Sequence, residues 1–135
     1  FGSIARSAEC AGVDAIIIPS RGSAMINADA VKTSSGALNN IPLCRAENLK
    51  ETILFLKNCG ITVIGATEKS EFNYFLVEYN KPVAIIMGSE ELGISEEYLK
   101  LCDKTVKIPM VGETQSLNVA VAAGIIMFEV LRQRL

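Results

Sequence analysis

The sequence predicts an α/β domain built on a mostly parallel sheet flanked by helices. Short apolar runs of strand length recur along the chain. Helix-period segments separate them, and glycine or proline closes several of both. The chain has 135 residues, half of them hydrophobic, which is the size of one domain with a real core. A charged fraction of 21% on that background excludes a disordered tail.

Ser3 to Ala11 reads as a helix, with Ile4, Ala8 and Ala11 on one face and Gly12 as its stop. Ala15-Ile16-Ile17-Ile18-Pro19 is a continuous apolar run ended by proline, as in a strand covered on both faces. Residues 20–40 are rich in Gly, Ser, Asn and Ala, and predict loops with a short helix around Asp29 to Lys32. Ala46 to Asn58 is the clearest amphipathic helix: Leu49, Ile53 and Leu56 fall at i, i+4 and i+7, and Gly60 ends it. Ile61 to Ala66 is a second buried strand, and Phe72 to Tyr79 fits either strand or loop. Pro82 to Met87 is a third strand. Ser95 then caps a short helix whose first turn carries Glu96 and Glu97, where the helix dipole favours anions. Thr105 to Ile108 is a fourth strand. Ser116 caps a long helix to about Arg134, with Arg132 and Arg134 suited to its C-terminal end. That helix is apolar nearly all round from Leu117 to Phe128, so it is buried inside the monomer or in an interface.

Composition removes several function classes. There is no histidine, which excludes Ser-His-Asp and Cys-His catalysis, histidine metal ligation and histidine pH switching. The net charge of −2 gives no bulk attraction for nucleic acid, and 6% aromatics without Trp disfavour a base-stacking platform. Cys10, Cys44, Cys59 and Cys102 form no CxxC pair, so no zinc site is expected. They read as buried or half-buried free thiols of a cytoplasmic protein. The apolar run from Val119 to Phe128 falls short of the ~20 residues that span a bilayer. The chain starts at Phe1 rather than Met and reads as part of a longer protein.

Ligands of open α/β sheets bind outside the carboxyl ends of the strands. Three loops qualify, after Val63-Ile64-Gly65-Ala66, Ile85-Ile86-Met87 and Val106-Lys107-Ile108. Gly88 to Ser95 half-matches a phosphate loop, but Ile94 stands where lysine is required and two glutamates would repel a triphosphate. GxGxxG is absent, so a dinucleotide site is disfavoured too. Gly88 and Gly93 can equally serve only a tight turn. Ser116 and Asn118 open the long helix; Ser116 reads as an N-cap, and a helix N-terminus also presents free N–H groups to a ligand.

Taken together, these segments resemble a known family. Phe1-Gly2-Ser3-Ile4-Ala5-Arg6, Ile86-Met87-Gly88-Ser89-Glu90-Glu91-Leu92-Gly93 and Ile108-Pro109-Met110 with Ser116-Leu117-Asn118-Val119 match, in order and spacing, the three motifs of the SpoU (TrmH-like) RNA ribose 2′-O-methyltransferases of the SPOUT superfamily. Ser34-Ser35-Gly36-Ala37, Ile41-Pro42-Leu43 and Asn48-Leu49 are similar to members acting on large-subunit ribosomal RNA. The resemblance implies that residues 1–135 are the catalytic S-adenosylmethionine-binding domain, with a C-terminal deep trefoil knot, a homodimeric active site, no metal and an RNA-binding region upstream. It implies methyl transfer to a ribose 2′-hydroxyl, in 23S ribosomal RNA ahead of transfer RNA. The implied catalytic positions are Arg6, Glu90, Ser116 and Asn118. The implied cofactor positions are Gly88, Ile108 and Leu117, with Met87, Met110 and the backbone near Thr67 beside them.

Two departures stand out. The family's first motif carries an Asn immediately before the position of Phe1, and Glu91 replaces a usual glycine. A guanidinium keeps its proton at neutral pH, so Arg6 suits a phosphate anchor and support for a developing alkoxide better than a general base. Glu90 would orient Arg6, or form a purely structural ion pair with it. Two rival readings remain: a non-catalytic RNA-binding or ribosome-assembly module, and a flavodoxin-like small-molecule binder.

Overall fold

The structure is a computed structural model that describes residues 1–20, 36–89, 92–114 and 116–135, apart from the Leu38 side chain. Residues 16–19 begin the sheet order: β1 (Ile16–Pro19) pairs in parallel with β2 (Leu43–Ala46), Ile16 opposite Leu43. A second parallel group places β3 (Thr62–Ala66) between β4 (Val83–Ile86) and β5 (Lys104–Val106). Ile64 lies opposite Ile85 on one side and Lys104 on the other. Among the described residues four α-helices flank these strands: α1 (Gly2–Cys10), α2 (Leu49–Asn58), α3 (Glu96–Leu101) and α4 (Val119–Arg134).

The alternation of β3 explains the layering. Ile64 packs with Tyr79, Val106 and Ile126 of α4, all fully buried. Gly65 points the other way, where an added Cβ would stand 2.9 Å from Cys102 Sγ and 3.4 Å from Leu99 Cδ2. Helices therefore cover both faces of β3, and a side chain at 65 would push α3 off the sheet. α1 packs against α4, burying Ala5 and Ala8.

Several expectations need correction. The long helix begins at Val119, and its N-cap is Asn118, whose Oδ1 accepts from the N–H groups of Ala120 (2.8 Å) and Val121 (3.4 Å). Ser116 precedes it on an exposed arm. Both residue types cap helices, and the competition went to the carboxamide nearer the first buried turn. Ala46 belongs to β2, an element the sequence reading missed, and α2 starts at Leu49 behind an Asn48 cap that accepts from Glu51 N. Ser95 sits at the N-cap of α3 without a side-chain cap bond. β1 is covered on one face within this chain: Ile18 is buried and Ile17 is 38% exposed. Cys10, Cys44 and Cys59 are exposed, and Cys102 alone is partly buried. Cys59 shows why apolar neighbours misled, since it terminates α2 facing solvent. The short helix expected near Asp29 to Lys32 lies outside the described residues. No described helix is long and apolar enough to cross a membrane.

Candidate active site

The loops after β3, β4 and β5 leave the same edge of one parallel group, because all three strands run the same way. The first loop is stitched to the third: Thr67 N donates to Val106 O at 2.8 Å, and Ser70 Oγ donates to Thr105 O at 2.9 Å. Lys107 then joins a second stitch, accepting from Tyr74 N and donating to Phe72 O, both at 2.8 Å. Residues 67–74 thus lie alongside the exit of β5.

The loop after β4 is folded tightly on itself. Gly93 N donates to Ser89 O at 2.9 Å, and Leu92 N to Ser89 Oγ at 3.1 Å. A Cβ on Gly88 would stand 2.3 Å from Gly93 C and 2.5 Å from Ile94 N. Those are backbone atoms, so only glycine fits at 88 without rebuilding the turn. Gly93 has φ +67°, the left-handed region that glycine occupies without strain.

Of the sequence-predicted positions, Thr67, Met87, Gly88 and Ile108 come together at this edge, half-buried, with Met87 and Ile108 packed on the Ile64 core. Met110, Ser116 and Leu117 follow on the exposed arm leading to α4. Asn118 is held at the start of α4 by its capping bonds. Arg6 is exposed near the middle of α1, and no side-chain hydrogen bond or ion pair joins its guanidinium to the described residues. Glu90 and Glu91 lie outside the described residues.

Sequence reasoning missed a polar clasp behind these loops. Gln133 Oε1 accepts from Tyr79 N at 2.8 Å, and Gln133 Nε2 donates to Val77 O at 2.9 Å. Arg134 donates to Tyr79 O (2.9 Å) and Lys81 O (2.7 Å). Glu129, nearly buried, accepts from both Arg132 Nε (2.8 Å) and Gln133 Nε2 (2.8 Å). Those bonds hold its carboxyl below the usual carboxylate range. Tyr79 donates its hydroxyl proton to Tyr74 O at 2.6 Å, and burial, aided by the Glu129 charge, pushes its pKa up to about 12. The available signal was a carboxylate on an otherwise apolar helix, followed at i+3 and i+4 by Arg132 and Gln133.

Comparison with known proteins agrees with this layout. The SpoU rRNA Methylase family matches residues 1–128. A 23S rRNA (guanosine-2′-O-)-methyltransferase of Photorhabdus laumondii is 41% identical over 134 residues, covering 99% of this chain and 55% of that protein. The SpoU methyltransferase AviRb of Streptomyces viridochromogenes, solved with the cofactor AdoMet, superposes with a TM-score of 0.91 at 32% identity, over 98% of this chain and 52% of that one. The TrmH/SpoU tRNA modifying enzyme of A. aeolicus gives a TM-score of 0.90 at 33% identity, over 99% and 68% respectively. The chain spans about half the length of the curated relatives it matches.

Proposed function

The chain belongs to the SpoU rRNA methylase family, and from that premise we propose that it is the catalytic domain of an S-adenosylmethionine-dependent RNA (ribose-2′-O-)methyltransferase. The observation that carries the reading is that three loops leave the carboxyl ends of three adjacent parallel strands, one of them opening on a glycine that tolerates no side chain. Ribosomal RNA is the favoured substrate and transfer RNA the second, because relatives 41% and 39% identical are named for 23S rRNA, while others at 41–43% are named for tRNA and rRNA together. A cytoplasmic location belongs to the same proposal.

The residues present fit the cofactor. Thr67, Met87, Gly88, Ile108, Met110 and Leu117 carry no ionisable side chain. They offer apolar walls and backbone polar groups, which suit a nucleobase and a zwitterionic tail. When bound, S-adenosylmethionine supplies an electrophilic methyl group on a sulfonium. The chain's own work is then chiefly positioning, worth up to about 7–11 kcal/mol of barrier when reacting atoms are well aligned. Arg6 anchors the target phosphate by a forked pair of N–H donors and supports charge developing on the 2′-oxygen. Glu90 orients Arg6. Ser116 and Asn118 hold the polar edge at the start of α4.

Dimerisation and a deep knot belong to the same proposal. Val121 and Phe128 lie seven residues apart on one face of α4, 52% and 45% exposed, with Leu117 leading into that face at 39%. That apolar strip supports a homodimer, which sedimentation at micromolar concentration tests. The knot rests on membership of the family alone. A knotted chain pulled from both ends in an optical trap stops short of its full contour length.

Two measurements test the activity. Calorimetry detects S-adenosylmethionine binding, and labelled methyl transfer is followed to 23S ribosomal RNA and to transfer RNA. Absence of binding by the folded protein points to a non-catalytic RNA-binding module instead. Arg6→Lys keeps cofactor affinity within about twofold and loses most turnover, because a point charge cannot replace the planar fork. Near-normal turnover would remove Arg6 from the phosphate.

A further inference from the structure

A continuous path of hydrogen bonds runs from the last turn of α4 to the loop after β5. Gln133 fixes the backbone of Val77 and Tyr79. The Tyr79 side chain, fully buried against Ile64, Val106 and Ile126, reaches back to Tyr74 O. Tyr74 N holds Lys107 O, and Phe72 O holds Lys107 N. Ile108, Pro109 and Met110 follow directly along the chain. Lys107 is paired with the strap through the isolated parallel bridge to Asn73, and β5 itself ends at Val106. The direction in which residues 108–110 leave the sheet is therefore set by residues 72–74, and those are set by Tyr79.

We propose that Tyr79, locked by Gln133, is a positioning residue for the cofactor loop that begins at Ile108. The hydroxyl is well suited to this work. It stays neutral across the physiological range, so it remains a donor to the Tyr74 carbonyl there. A phenylalanine of the same shape would fill the core and leave that carbonyl without its partner. The proposal rests on residues 107–117 holding the cofactor, but the path itself can be tested in the protein without ligand.

The experiment compares Tyr79→Phe and Gln133→Met with the wild-type full chain, using amide hydrogen exchange without ligand and calorimetry with S-adenosylmethionine. Exchange at the N–H groups of Tyr74 and Lys107 is expected to rise about fivefold or more in both variants, while Val63 and Ile64 in β3 stay protected. Dissociation constants for S-adenosylmethionine are expected to weaken by a similar factor at temperatures where both variants are fully folded. Unchanged exchange at Tyr74 and Lys107, or an equal rise across all of β3, would overturn the relay and leave Tyr79 as packing alone. Altered exchange with unchanged affinity would overturn the cofactor-loop assignment. If the wild-type protein itself binds no S-adenosylmethionine, the proposed activity fails while the exchange result still decides the relay.

Discussion

The two parallel groups of strands are built on different terms. β1 and β2 are joined by their own ladder, extended by Ile16 N to Pro42 O and Ser20 N to Ala46 O, with Ile17 and Cys44 open to solvent. β3, β4 and β5 hold Val63, Ile64 and Val106 at 0% exposure and are further tied by side chains reaching backbone groups far along the chain. Asp103 Oδ2 accepts from Val63 N at 2.8 Å, and Lys57 Nζ donates to Leu101 O at 2.9 Å. The difference teaches that the strand group carrying the proposed cofactor edge is the over-determined one. Positioning to a fraction of an ångström needs walls that cannot yield, and a packed core with satisfied polar ties supplies them.

Substitutions can break or sharpen that contrast. Ile126→Ala opens a cavity against Ile64, Tyr79 and Val106 and is expected to cost about 2–5 kcal/mol in denaturant unfolding. A loss under about 1 kcal/mol would mean the core can collapse around the gap, and the contrast would shrink. Glu129→Gln is expected to cost less and to be pH-dependent. Its folded pKa is depressed, so its contribution is present above the ordinary carboxylate value of about 4.3 and fades as pH falls through the folded one. The stability gap between wild type and Glu129→Gln should thus be wide at neutral pH and narrow in acid; a constant gap would make the charge irrelevant to the clasp. Cys44→Ser, on the open β2, is expected to stay within about 0.5 kcal/mol of wild type, and a larger loss would show that this strand is covered in solution.

Legibility in the sequence followed the same division. β3, β4 and β5 were readable to within two residues, because short runs rich in Ile and Val with a glycine or proline close by leave few alternatives. The loops that gather Thr67, Gly88 and Ile108 followed from that reading. Residues 72–79 were not readable, since their conformation depends on Gln133, 54 residues beyond Tyr79. No local pattern encodes such a partner. β2 went unread, with only Ala46 assigned to the helix after it, because Leu43-Cys44-Arg45-Ala46 has neither a β-branched run nor a flanking glycine. The choice of Ser116 over Asn118 as cap failed for a narrower reason. Two competent caps two residues apart differ only in which first turn gets buried, and that is a tertiary matter.

The clasp also sets a schedule. Tyr79 is synthesised 54 residues ahead of Gln133, which at about 5–20 residues per second is about 3–11 s of translation. Throughout that interval the strap can pair with β5 at most and has no α4 to close against, and Phe72, Phe75 and Leu76, exposed even in the finished fold, stand beside a Tyr79 that Ile126 does not yet cover. A nascent chain at this stage presents a greasy, unpaired stretch to the crowded surroundings of the ribosome. Chaperone demand should therefore concentrate between the emergence of Tyr79 and that of Gln133 and fall once Gln133 is in place.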